Sequence, residues 1–450
     1  MSEERAEVVV VGGGIAGLAA AWELRDRDVR VLEATERVGG RLMSEARDPY
    51  WLNFGGHVVG GDETETGRLL HETGVQAVEL PGVLTGVVLN GRLVAGGRVE
   101  TYPFRLPLAP RDRLALVRSG VRLRLAVAEY GRVSRLRPGE TEAGRRARVL
   151  AYRDDTTFAH FLGSLPRDVD ETFRATIRRS SGEPEEVSAG YGIGYFQLVW
   201  DRTKGLTRNI LGGSSMLSQA IARELGARVA TGARVRRVRR SGDGVLVQYE
   251  AEGRERTVAA RAAVVAAPAF EARRMITGLP EHVGDALERI AYGPYVVGSF
   301  LTRETSPMPY DGVYATATPN ASFNMLFNTA NALRRGGERR TGGSLMVYAA
   351  ANLARALWDD RDEAVEQRFL DDLYERFPDL RGSVREAVIR RWELGVPHPR
   401  PGRHRLQPAL EEPLGNVYLA GDYLGTTYIE TAIETGRAAA RSAGTRLAPP

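Results

Sequence analysis

The chain has 450 residues, 43% of them hydrophobic and 26% charged, the composition of a folded globular protein with room for two cores rather than of a disordered chain. It contains no cysteine, which excludes disulfides, iron–sulfur clusters, Cys-ligated zinc and cysteine nucleophiles. The net charge is +5, and Lys204 is the single lysine among 62 basic residues; no aromatic-rich basic motif accompanies this charge, so nucleic acid is not an expected partner.

In chain order, the first informative stretch is VVVVGGGIAGLAAAWELRDRDVRVLEATERVGGR at residues 8–41. Val8–Val11 predicts a buried strand, a helix follows from about Ile15, and Val29–Leu32 predicts a second buried strand. Gly12, Gly14 and Gly17 between them have the G-x-G-x-x-G spacing of a dinucleotide fold. The first glycine permits the tight turn, the second lets a pyrophosphate touch the backbone, and the third lets helix and strand pack closely. The free N–H groups at Ile15 and Ala16, with the positive end of the helix dipole, then face the phosphates. Glu33 follows the second strand 21 positions after Gly12 (33 − 12). A carboxylate there accepts from both ribose hydroxyls and disfavours a 2′-phosphate, so NADP is not expected.

Further along, Gly39-Gly40-Arg41 adds two more small residues and an arginine, and Asn53-Phe54-Gly55-Gly56-His57 is a glycine turn. Arginines crowd residues 101–150, twelve against four acids, and Arg111–Tyr130 within that window reads as a basic amphipathic helix. Such a helix lies on a membrane surface, borders a channel for an acidic substrate, or turns a solvated arginine face outward, and the last is the commonest case. Asp154–Ile177, Ser218–Leu225, Glu281–Ile290 and Glu363–Phe377 read as helices, the last with Val365, Phe369, Leu373 and Phe377 on one face. Tyr295–Leu301 and Ser344–Ala349 read as strands. Gly212–Leu217, Ala227–Val238 and Ala263–Pro268 (AVVAAP) supply a further turn and strands. Trp392–Pro397 is followed by Pro401-Gly402. Near the end, Val417–Asp422 is a strand closing on Gly421-Asp422, and Tyr428–Gly436 opens a helix that runs on through Arg437–Ala440.

The glycine turn with Glu33 and the GGR continuation resembles FAD-binding proteins of the glutathione-reductase structural class. Together with the C-terminal segments it resembles the flavin-containing amine oxidase and protoporphyrinogen oxidase superfamily, over nearly the whole chain. The fold implied is α/β: a discontinuous Rossmann-like FAD-binding domain (residues 1–80, 205–275 and 408–450) with an interleaved α+β substrate domain (81–204 and 276–407). The resemblance places Gly12, Gly14, Ile15, Ala16, Gly17, Glu33, Ala34, Gly40, Arg41, Gly55, Gly56, His57, Val235, Ala267, Gly421 and Asp422 at the cofactor. It also aims the helix start at Ile429, Glu430 and Thr431 toward the flavin N1–C2=O edge, where a positive dipole stabilises the reduced anion. The FAD is expected to be non-covalent, because no cysteine can form the thioether of some amine oxidases.

For catalysis the resemblance singles out His57, Trp392 and Tyr428. The two aromatics would hold a substrate edgewise, and His57 is either a base, a hydrogen-bonding group or a prop for its turn. Tyr191 and Tyr195 belong either to the core or to the cavity wall. Amine oxidases of the superfamily usually carry a lysine on the strand that here reads Tyr292–Phe300, and no lysine stands there. The expected function is therefore an FAD oxidase or dehydrogenase that removes two electrons from a C–H bond of a partly apolar substrate, making C=C or C=N in a biosynthetic pathway. An amine oxidase giving imine and hydrogen peroxide is the alternative, and a redox-neutral flavin mutase a second one. The six histidines show no metal spacing, so no metal is expected. Expected partners are a small-molecule substrate and oxygen or another electron acceptor; peripheral membrane contact and a homodimer stay open. The uncharged stretch Val8–Trp22 is 15 residues, short for a membrane span. Met1-Ser2-Glu3-Glu4 lacks the pattern of a signal peptide, so a cytoplasmic protein is expected.

Overall fold

Four successive valines must be buried on both sides of a sheet, and Val8–Val11 are at most 3% exposed. They form the second half of a strand, Glu4–Val11, in a computed structural model that describes residues 4–200, 206–334, 339–425 and 428–447. That strand pairs in parallel with Val29–Leu32 on one side and with Arg254–Val265 on the other. Val229–Ala230 extends the first flank, and the hairpin Arg234–Ser241 with Gly244–Ala251 extends the second, antiparallel. Val417–Leu419 adds in parallel at Ala263–Val265. One seven-stranded sheet is thus drawn from three distant parts of the chain.

Its faces follow from the alternation of side chains along a strand. Val8, Val10, Val29 and Val31 pack under the helices Ile15–Glu23, Ser215–Leu225 and Tyr428–Leu447. Val9, Val11 and Val265 face the opposite way, toward Ala269–Met275 and Glu281–Glu288.

A second seven-stranded sheet has the order Val384–Pro397, Tyr292–Thr302, Gly343–Ala350, Met325–Asn328, Val313–Ala317, Val83–Leu89, Arg92–Ala95. One face is covered by the helix Asp362–Arg376 through Val365, Phe369 and Leu373, with Phe377 beyond its end. The other face, carrying Tyr314, Phe327 and Tyr348, packs on the strand Tyr50–Asn53 and on Phe54. Helices Pro110–Val133, Glu142–Ala151, Arg167–Ile177 and Ala189–Trp200 pack beside this sheet.

Three local expectations need correction. The single helix expected over Asp154–Ile177 is two, Phe158–Leu162 and Arg167–Ile177, because Gly163 turns the chain at φ +74° and Pro166 cannot continue a helix. The helix expected from Ser218 begins at Ser215. The run Ala227–Val238 splits into Val229–Ala230 and a strand from Arg234, at a turn where Gly232 has φ +63°. The arginine-rich helix forms over Pro110–Val133, burying Leu116, Leu123 and Val127 while Leu114, Val121 and Leu125 stay exposed. No described helix is long and apolar enough to cross a membrane.

Candidate active site

The first strand ends in the glycine turn, and its glycines are required by space. A Cβ on Gly17 would stand 1.9 Å from the Gly12 carbonyl oxygen, and one on Gly12, at φ +101°, 2.8 Å from the Ala266 oxygen. Gly12 therefore runs directly beside Ala266-Ala267. A Cβ on Gly14 would meet nothing within 4 Å: the backbone there borders open space at the start of the helix. Gly40 approaches Gly14 from the other side, with an ideal Cβ 3.3 Å from its Cα, and Gly39 N–H donates to the Gly13 oxygen at 2.8 Å.

Glu33 is buried at the edge of this turn. One carboxylate oxygen accepts from Gly13 N–H at 2.6 Å, and the other from Thr35 N–H at 2.8 Å and its hydroxyl at 2.7 Å. Its carbonyl accepts from Ala233 N–H at 2.7 Å, which brings Val235 within two residues of it.

Three segments far apart in sequence meet beyond the turn. Arg41 makes a two-point ion pair with Asp422, both contacts 2.9 Å, and donates to the Gly395 carbonyl. A Cβ on Gly55 would lie 1.9 Å from the Arg41 oxygen, and one on Gly56 3.2 Å from the Ile429 side chain. The helix Tyr428–Leu447 rests on the helix Ile15–Glu23 at Gly436, whose Cβ would be 2.1 Å from the Ala16 oxygen. Two of the expected cofactor residues have their side chains engaged by protein partners. The Glu430 carboxylate caps the helix Glu65–Glu72, accepting from Glu65 N–H at 2.6 Å and Thr66 N–H at 2.9 Å; only its main chain is left for a cofactor. The Arg41 guanidinium is likewise engaged by Asp422. Thr431 is buried in the first turn of its helix, beside Gly425.

Next to the 53–57 turn stands a cage of aromatic side chains. Trp392 donates from Nε1 to the Phe54 carbonyl at 2.5 Å. Tyr428 holds φ +81°, a strained backbone for a non-glycine residue. Its hydroxyl is 3.4 Å from that of Tyr191, and its ring centroid is 6.2 Å from that of Tyr195. Tyr348 lies 5.4 Å from Tyr295 and 5.5 Å from Phe327, and His57 sits edge-on to Phe327 at 4.7 Å. His57 Nδ1 donates to the Gly55 carbonyl at 2.8 Å, so Nε2 carries the lone pair. Burial drives its pKa down to about 4, with Arg179 pushing the same way and the Gly55 carbonyl opposing. Burial likewise holds the Tyr295 and Tyr428 hydroxyls protonated, far above their ordinary range.

The three expected catalytic residues therefore all touch this 53–57 turn or its aromatic cluster. Tyr295, Tyr314, Phe327, Tyr348 and Arg179 complete it without having been singled out by sequence. Alternation along the strands Tyr292–Thr302 and Gly343–Ala350 was the available signal for the two strand tyrosines; nothing local marked Arg179. Lys204 lies outside the described residues, and the strand Tyr292–Thr302 has no lysine. A cleft of about 450 Å³ lies elsewhere, lined by Glu36, Arg37, Met43, Ser215 and Gln219.

A family model described as flavin containing amine oxidoreductase matches residues 15–443. The chain belongs to that family. An amine oxidase B of Sus scrofa is 25% identical over 97% of this chain and 86% of its own length. The match to an amine oxidase of Oncorhynchus mykiss, 28% identical, takes in 58% of this chain and 50% of that one. Among solved structures, a putrescine oxidase with putrescine bound aligns at TM-score 0.76 with 20% identity over 100% of both chains. A cyclohexylamine oxidase from Brevibacterium oxydans aligns at 0.78 with 21% identity, over 98% of this chain and 99% of that one. These structures share the fold: an FAD-binding domain joined to a substrate domain.

As in the rest of the flavin-containing amine oxidoreductases, the cofactor is FAD, and the residues present fit it. Gly14 borders a space that a side chain would fill, where a pyrophosphate would meet backbone N–H groups. In the 53–57 turn, both buried amide atoms of Asn53 have no protein partner. Buried polar atoms of this kind call for a partner, which the N–H and C=O edge of a flavin would supply. Replacing Glu33 with alanine removes a ribose acceptor and frees Gly13 N–H. FAD affinity is expected to fall by about 1–3 kcal/mol, measured by fluorescence titration of deflavinated protein; unchanged affinity would place the adenosine elsewhere.

Proposed function

We propose that this protein is an FAD-dependent amine oxidase, forming C=N rather than C=C. Residues 1–80, 205–275 and 408–450 hold the FAD, and 81–204 with 276–407 form the substrate side. The observation that carries this reading is the aromatic cage beside the 53–57 turn, where Trp392 donates to the Phe54 carbonyl, Tyr428 meets Tyr191 and His57 sits edge-on to Phe327. Rings at these positions fix an amine-bearing carbon in one orientation. His57, neutral above about pH 4, offers Nε2 as an acceptor for a substrate N–H. Bound FAD supplies the two-electron acceptor, and oxygen carries the electrons on as hydrogen peroxide. The substrate carbon gives up a hydride, its nitrogen a proton to water, and the imine hydrolyses outside the cage. The amine-oxidase activities of the relatives above support the C=N outcome; a redox-neutral rearrangement has no such support.

The purified protein is expected to be yellow and to release FAD on denaturation. A panel of aliphatic and aromatic amines, added anaerobically, is expected to include members that bleach it, with colour and one equivalent of hydrogen peroxide appearing on admission of air. Bleaching by a hydroaromatic donor and by no amine would overturn the assignment.

A further inference from the structure

Arg179 is a partly buried cation in a place where the described residues offer it no anion. It lies between the helices Arg167–Ile177 and Ala189–Trp200, with its guanidinium carbon 5.4 Å from the Tyr195 ring centroid and 5.8 Å from that of Phe327. The Tyr348 side chain interacts with it, and Tyr295 clamps the main chain by donating to the Arg179 carbonyl at 2.5 Å. Its Nε is closed off from solvent and has no partner.

The contrast with its neighbours is sharp. Arg174 pairs with Asp170, Glu183 and Glu185, and Arg178 with Glu171 and Glu183. These acids are engaged there, and among the described residues no carboxylate pairs with Arg179. An arginine cannot discharge itself by losing a proton, and an interior charge is ordinarily paired. Ring faces offset part of that need. They do not supply the planar, two-point acceptor that a guanidinium fork matches.

The same charge bears on what enters the cage. It reaches His57, Tyr314, Tyr348 and Tyr428, all members of the aromatic cage or its supporting cluster. A cationic amine entering alone would meet repulsion and find no described carboxylate to offset it. We infer that the substrate carries its own carboxylate, which pairs with Arg179, so that the protein acts on an amino-acid-type amine rather than on a simple amine. This rests on the amine-oxidase assignment for the reaction, but not for the binding. The C–H beside the amine leaves as hydride to FAD and an N–H proton goes to water. The imine hydrolyses to a carbonyl acid and ammonia while oxygen becomes hydrogen peroxide.

The test pairs ligands that differ only in charge. Calorimetric titration of the FAD-loaded protein with benzoate and with benzamide is expected to show at least ten-fold tighter binding of benzoate. Arg179→Gln is expected to abolish that preference while leaving FAD content unchanged, and Arg179→Lys to restore part of it. Equal binding of the two ligands by the unmodified protein overturns the inference without any variant. So does an Arg179→Gln protein that keeps the preference. Anaerobic bleaching by phenylalanine against 2-phenylethylamine separates the two levels. Phenylalanine is expected to give a kcat/KM at least ten-fold higher, a gap that closes in Arg179→Gln chiefly through KM. If benzoate is preferred but neither compound nor any other amine bleaches the flavin, the carboxylate site stands and amine oxidation falls. If 2-phenylethylamine is the better donor and benzoate is not preferred, oxidation stands and the carboxylate site falls.

Discussion

Gly17→Ala is expected to yield a colourless protein of reduced stability. The added carbon would stand 1.9 Å from the Gly12 oxygen and 3.2 Å from Val10 Cγ1, far inside contact distance, and both neighbours belong to the strand and turn that carry the pyrophosphate. The helix Ile15–Glu23 must shift outward, which costs about 1–3 kcal/mol of packing and lifts its first N–H groups off the phosphates. Gly14→Ala is the informative companion. Its φ of −68° suits alanine, and the new methyl meets no protein atom within 4 Å. The melting temperature of the deflavinated Gly14→Ala protein is expected to match wild type while FAD retention drops. FAD bound at full strength by Gly14→Ala would move the phosphate site away from this turn.

A second large effect is expected from pH. Burial lowers the pKa of His57 to about 4, and burial with Arg400 does the same for His398. Both rings are neutral in the fold, whereas unfolded histidine takes up a proton near its ordinary 6.5. Between pH 6.5 and 4 the unfolded chain therefore binds more protons, so stability falls as pH falls through that window and levels off below it. The loss is about 2 kcal/mol per histidine by pH 5 and about 3 when complete. Denaturant titrations of the FAD-loaded protein at pH 7.5 and pH 5 measure it, above the range where most carboxylates titrate. His398→Gln is expected to remove roughly half of the dependence. An unchanged slope in that variant would mean that His398 is protonated in the fold.

What the sequence disclosed and what it withheld divide along a physical line. Gly12, Gly14, Gly17 and Glu33 were legible because each answers a backbone requirement within one strand–turn–helix unit. The two strand tyrosines and Arg179 were not. Tyr295 faces Tyr348 only through strand pairing across some fifty residues, and an unpaired arginine is recognised only once its neighbours' acids are seen to be engaged. The capping role of the Glu430 carboxylate was not legible, since its partner at Glu65–Thr66 lies more than 360 residues away. The break at Gly163–Pro166 was visible in the sequence, where glycine and proline mark a turn more strongly than the flanking apolar spacing marks a helix.

The contact of Gly436 with Ala16 has a consequence for the order of assembly. These residues are 420 positions apart (436 − 16), and the same junction is locked by Arg437, which pairs with Glu65 and Glu72. During synthesis the glycine turn emerges some 420 residues before the helix that rests on it (436 − 16). With FAD bound at the turn, the cofactor would act as a clasp between these two distant segments. Loop closure over such a span costs only slightly more than over a short one. It is slow to reach, however, which leaves the glycine turn waiting without its partner while the intervening chain is made.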